Sequence, residues 1–449
     1  MSRYAFFRQT GWLMIATVAG GFLSYLVHPF LQKPMDQVIA VAQAGVKVMP
    51  VLGFLLDGLV AIARIIQPPI SKAEYGLFNA LLALVTVLNF PAIGLQPKLT
   101  QQTAAATDEQ KQRELCGAAW WLLRAAFVVW LVLVLGTLLM RHQLMASYGM
   151  TSAGPLFVGL LIGLPLLCQP ILLGIMQGRQ NFMWIGWQMI LNAMMRCFAV
   201  LILVRVIGIG ISGAMIAVLS GWIVTLLISG WQTWPVLNGP REPFQWRVWI
   251  RGVIPLTFGL AAVSLMLNAD LLFAPKIFGK ESGYYAAAAI IGRAIVFFTG
   301  PMTQVMFPKV VHAAAREERT GVMFQALGAT ALLGGVAAGL CTLFPWLPLK
   351  IVYDASFLQV QTLVPWYAWC MLPLTLSTVL VNNLLAHQHY KCVPALVVVA
   401  LLYVGTLWFM GDSLSRMPPL EGFRRLVTIL AVYSAAMFVI SVRYSIKRQ

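Results

Sequence analysis

Two arginines stand where an arginine is expensive. Arg196 and Arg293 each fall about halfway along a long apolar run. A charge at that depth in hydrocarbon costs about 2.5–3.5 kcal/mol, so such residues normally face a wet cavity or a partner. Gln188, Asn192 and Arg196 recur every four residues and form one polar stripe on a helix. Arg293, Gly300 and Gln304 share a face of another helix, and Thr257, Ser264 and Asn268 share one on a third. Three polar stripes on apolar helices imply a common hydrophilic interior. A guanidinium there suits a phosphate-bearing ligand, because its planar fork donates two parallel hydrogen bonds. The plainer reading stays open: each arginine pairs with a carbonyl or an acid and holds the bundle together. Arg124, near the start of its run, either lines the same interior or snorkels to the headgroups.

The remaining reactive residues give little. Asp270 lies near the end of its run and is either a proton or cation coupling site or an ion-pair residue. Asn382 and Asn383 either bind hydroxyls or bridge helices. Gly208, Gly210 and Gly213 fit a dinucleotide fingerprint, but they join two apolar runs and follow no soluble strand. His387 and His389 are spaced poorly for a shared metal, and the six cysteines form no CxxC pair. No catalytic set, metal or cofactor is therefore expected.

These residues are positioned by membrane spans. The 449-residue chain is 60% hydrophobic and only 10% charged, with mean hydropathy +0.82. Soluble domains carry about 25% charged residues. The apolar content arrives in blocks of about 20 residues, the length that crosses a bilayer. An all-α polytopic membrane protein follows. The net charge of +17 comes from basic residues scattered through loops and helix ends, which argues against nucleic acid.

Spans are expected near 10–31, 76–96, 117–140, 155–177, 184–205 and 209–230, then near 252–275, 283–306, 321–345, 359–384, 391–411 and 426–444. That is about 12 transmembrane helices in two six-helix lobes: 1–230, a cytoplasmic linker over 231–250, and 251–449. Residues 36–70 interrupt the first lobe and read as an external insertion. The even span count and the basic tail place both termini in the cytoplasm.

The halves repeat. Glu74-Tyr75-Gly76 opens one segment and Glu281-Ser282-Gly283-Tyr284-Tyr285 the other. Each continues through an apolar span holding Pro91 or Pro301, and each ends in Pro-Lys at Pro97-Lys98 or Pro308-Lys309. The offset is about 210 residues, half the chain. Two similar bundles related by a pseudo-twofold suit alternating access about a shared site.

With these motifs in order, the chain resembles the Wzx-type oligosaccharide flippases of the multidrug/oligosaccharidyl-lipid/polysaccharide exporter (MOP) superfamily. The matching residues are Glu74-Tyr75-Gly76-Leu77-Phe78, Asp270, Gly283-Tyr284-Tyr285-Ala286-Ala287, Phe307-Pro308, and Gly174, Gly178 and Phe182. The chain departs from the family at Ile290, where a basic residue is common, and carries Arg293 one turn later. The resemblance implies a transporter that moves a polyprenyl-diphosphate-linked glycan across the bacterial inner membrane for cell-surface polysaccharide biosynthesis. Its partners would be membrane lipids and the glycosyltransferases or polymerase of the same pathway. A drug/cation antiporter of the same superfamily is the second reading, and a membrane glycosyltransferase or polymerase the third.

Overall fold

The structure, a computed structural model, describes residues 3–32, 78, 81–82, 92–147, 152–315, 322–352 and 355–446. The expected insertion at 36–70 lies outside them, as does most of the second span. Fourteen α-helices are described. In the first half they are α1 (Arg3–Gln32), α2 (Ala92–Ala105), α3 (Glu109–Leu139), α4 (Arg141–Ser147), α5 (Gly154–Gly178), α6 (Phe182–Val200) and α7 (Gly210–Leu237). In the second half they are α8 (Trp246–Phe278), α9 (Ser282–Ala315), α10 (Val322–Leu343), α11 (Trp346–Val352), α12 (Leu363–Ala386), α13 (Val393–Ser415) and α14 (Pro419–Ile446). Ten are long and apolar enough to cross a membrane, with α6 counted through its π-helical continuation Leu201–Val206.

Each half packs on itself. In the first, α6 lies between α1 and α7, while α5 packs on α2, α3 and α7; in the second, α12 is the hub for α9, α10 and α14. Helices at the rim turn apolar residues outward, as α3 does with Val128, Val132, Leu135 and Leu139. In lipid such a surface costs nothing, and close backbone packing holds the bundle instead. Gly174 and Gly178 show this. A Cβ on Gly174 would lie 2.7 Å from the Gln96 carbonyl oxygen, and one on Gly178 2.9 Å from that of Thr100. Only glycine lets α5 come so near α2.

The helices run past the expected linker. Pro235 is accommodated inside α7, which continues to Leu237, and α8 begins at Trp246, so 238–245 alone is non-helical. Trp231, Trp234 and Trp246 are exposed around this end, as interfacial anchors would be.

The two halves meet at the linker end. Gln101 Nε2 on α2 donates to the Leu385 carbonyl at the end of α12, at 2.6 Å. Trp249 Nε1 on α8 donates to Gln102 Oε1 at 3.1 Å. The linker is tied to the first half through the Glu242 amide, which donates to the Arg113 carbonyl at 3.2 Å.

Candidate functional site

The first lobe holds a polar ladder between α5, α6 and α7. The Ser229 hydroxyl donates to Gln188 Oε1 at 2.7 Å, and Gln169 Nε2 donates to Ser229 Oγ at 2.9 Å. One turn along, Asn192 Nδ2 donates to Thr225 Oγ1 at 2.8 Å. Above it stands Arg196, its guanidinium carbon 5.7 Å from the centroid of the Trp222 ring. The Arg196 Nε is buried and has no hydrogen-bond partner among the described residues. Gly221 makes room for this side chain: a Cβ there would meet Arg196 Cγ at 2.8 Å and the Asn192 carbonyl oxygen at 2.9 Å. The described acids of this lobe, Asp108, Glu109 and Glu114, all lie at the exposed start of α3 or just before it. Hydrogen bonds from Lys111 and Thr107 hold the Asp108 carboxyl below the usual range. No acid among the described residues therefore balances Arg196.

The second lobe holds a different arrangement. Asp270 is fully buried and pairs with the Arg293 guanidinium, itself 6% exposed. The same carboxylate accepts from the Tyr367 hydroxyl and from that of Tyr285, the latter at 2.7 Å. The Arg293 guanidinium also lies 5.8 Å from the Tyr367 ring centroid. Three donors from α9 and α12 thus converge on one acid of α8.

The expected stripe residues are distributed between different environments in this structure. Gln188 is 3% exposed, its amide oxygen already taken up within the first lobe. Arg293 faces Asp270 within the second lobe, with Gln304 of its own stripe exposed. Asn268 is exposed too and donates to the Ser264 carbonyl of its own helix, and Arg124 is exposed on the rim helix α3. Helical spacing sets which residues share a face, whereas the neighbouring helix decides what that face meets. Asp270 is an ion-pair residue in this structure, the alternative its position left open. Sequence reasoning passed over Gln169, Trp222, Thr225 and Ser229, and gave Tyr367 no role. Polar and aromatic residues singly placed in apolar helices carry no periodic signal.

Two cavities open at the linker end. One of about 540 Å³ takes in Arg113, Arg179 and His312; the other, of about 350 Å³, takes in Lys98, Gln102 and Trp249. None of the candidates on the three stripes lines either. Burial lowers the Lys98 amine from its ordinary pKa.

The fold defines a class: an all-α polytopic membrane protein. Solved structures of low identity share it. A MATE transporter in the straight conformation aligns with TM-score 0.71 and 13% identity, over 98% of this chain and 97% of the other. An outward-facing multidrug resistance MATE transporter of the MOP superfamily aligns with TM-score 0.67 and 12% identity, over 96% and 97%. A MOP-superfamily transporter from Pyrococcus furiosus, described as having a binding pocket of reverse polarity that suggests a different function, aligns with TM-score 0.63 and 14% identity, over 97% of each chain. No curated protein matches by sequence. The polysaccharide biosynthesis protein family matches residues 38–313, more than half of the chain, and the chain belongs to that family.

Proposed function

We propose that this protein is a flippase that carries a polyprenyl-diphosphate-linked oligosaccharide across the bacterial inner membrane by alternating access. The observation that carries the reading is the first lobe's interior, which has an uncompensated Arg196 beside an amide and hydroxyl ladder and no described acid. An interior of that kind attracts an anion and repels a cationic drug. In the transported state Arg196 meets the diphosphate, while Asn192, Asn268, Gln304 and Arg124 meet the glycan or the headgroup region as the lobes part. Asp270 serves coupling through its pairing with Arg293, since parting the pair would free the guanidinium. The linker end is the cytoplasmic one. Membrane potential supplies drive, because an anionic headgroup gains about 2.3 kcal/mol per charge per 100 mV on moving to a positive outer face.

The multidrug MATE structures share the fold, and drug export is therefore the second reading. A single assay separates the two. Purified protein in liposomes should speed the appearance of labelled lipid-linked sugar on the opposite leaflet without nucleotide, and an imposed potential, positive on the receiving side, should increase the rate. Efflux of a cationic dye with no movement of the lipid-linked sugar would reverse the order. A glycan missing or shortened before translocation in a deletion strain would instead bring forward the glycosyltransferase or polymerase.

A further inference from the structure

The smaller cavity at the linker end has the chemistry of a carbohydrate site. Its walls come from both lobes and the linker, at the seam that Gln101 closes against Leu385. Lys98 and Lys111 line it, and so do Glu114 and Glu242, so its formal charge balances and it offers nothing to a simple ion. Lys111 is in addition held by Asp108 at 3.1 Å. What remains is hydrogen-bonding capacity. Four glutamines reach the cavity: Gln101 and Gln102 from α2, Gln245 from the linker, and Gln388 from the turn after α12. Gln245 and Gln388 can each donate and accept, as does each hydroxyl of a sugar. Gln101 keeps its amide oxygen and Gln102 its NH2 beside the bonds they make at the seam, and the two carboxylates add acceptors.

The wall also carries an aromatic ring held in place. Trp249 is tied through Nε1 to Gln102 and meets the Phe244 ring edge-on, with centroids 5.6 Å apart. An indole fixed in this way offers a surface to the C–H face of a pyranose, and the surrounding amides reach the hydroxyls at its rim. The volume of about 350 Å³ lies at the small end of ligand sites and holds one or two sugar residues. Gln388 has φ +58°, so the turn carrying it adopts a left-handed backbone that sets its side chain at the cavity.

We propose that this seam cavity binds one or two uncharged sugar residues on the linker side of the protein. Because both lobes build it, the site exists only while the linker end is closed, and lobe separation dismantles it. A sugar held there is released as the linker side opens, so the site acts as a waiting position for the head of a glycan. That role rests on the flippase reading; the binding itself does not.

The test uses the full chain in nanodiscs free of glycosidic detergent. Saturation-transfer NMR is recorded with the methyl β-glycosides of glucose, galactose and N-acetylglucosamine, with glycerol as the control polyol. At least one glycoside should receive saturation, strongest at its ring C–H protons. Trp249→Ala should weaken its binding about 5-fold, the worth of one aromatic contact. Gln245→Ala, at an exposed position, should weaken it measurably without affecting folding, and stands in if Trp249→Ala proves unstable. Transfer to none of the three, equal transfer to glycerol, or unchanged transfer in both variants would overturn the site. The liposome assay separates the two claims. Glycoside binding without lipid-linked sugar movement keeps the site and removes the flippase, and movement without binding does the reverse.

Discussion

In the proposed flippase, Arg196 is the residue on which transport turns, and its environment makes the consequence specific. Its guanidinium has an aromatic face and a glycine beside it, and a buried Nε without a partner among the described residues. Arg196→Ala should abolish movement of the lipid-linked sugar in the liposome assay while leaving the protein folded, since no described acid is orphaned. Arg196→Lys keeps the charge but loses the bidentate fork, so the rate should fall about 10-fold. Full activity of the alanine variant would remove Arg196 from the mechanism. Gly221→Ala places a methyl group against Arg196 Cγ and the Asn192 carbonyl, and should cost about 1–3 kcal/mol as overpacking. Asp270 and Arg293 call for a cycle. Removing either partner leaves a buried charge alone, at a cost of about 3–5 kcal/mol, whereas removing both should cost much less. Thermal unfolding of Asp270→Asn, Arg293→Met and the double variant measures this. If the double variant regains stability and transport together, the pair only holds the lobe; stability without transport assigns it to coupling.

At the scale of elements, the proposed alternating access requires the seam between α2 and the second lobe to move. Gln102 and Trp249 touch across it, and Gln101 reaches the end of α12. On a background lacking the six native cysteines, Gln102→Cys with Trp249→Cys should be bridged by a short bifunctional thiol reagent. The bridge should stop transport, and a reducible reagent should allow it to resume. Unimpeded transport by the bridged protein would mean that the lobes do not part here. Lys98 and Lys309 extend the argument, because the repeat puts them at equivalent places near this end. Lys309 is 4% exposed, and Lys98 lies against Gly252 of α8, with Nζ 2.7 Å from where a Cβ would stand. Opening the seam would rehydrate both lysines, which lowers the cost of parting there.

At the scale of the whole molecule, charge and the expected span count predict a membrane orientation. Both termini should be cytoplasmic and residues 36–70 external. Single cysteines at positions 40 and 45, again on a cysteine-free background, should react with an impermeant maleimide from outside. Reaction from the cytoplasm alone would overturn this topology and make the insertion a spanning helix.

The sequence by itself determined the class of fold. Blocks of about 20 apolar residues can only span a bilayer as helices, because lipid leaves no other partner for the backbone groups. The expected spans from 117 onward fall on described helices, whereas Gly174 and Gly178, read in the sequence only as part of a turn motif, lie inside α5 at a close helix contact. The repeated Pro-Lys ends gave the expectation of two similar halves. The tertiary structure decided which polar groups meet. Asp270 and Arg293 are 23 residues apart on successive helices, and Tyr367 joins them from a helix 97 residues beyond Asp270. No periodicity within one helix records such a meeting. The same holds for the ladder from Gln169 through Ser229 to Gln188, and for the seam cavity assembled from two lobes and a linker. A helix's own spacing fixes its faces, since the backbone geometry is local. What a face touches depends on rotations and tilts set by all its neighbours at once, and those are properties of the packed bundle alone.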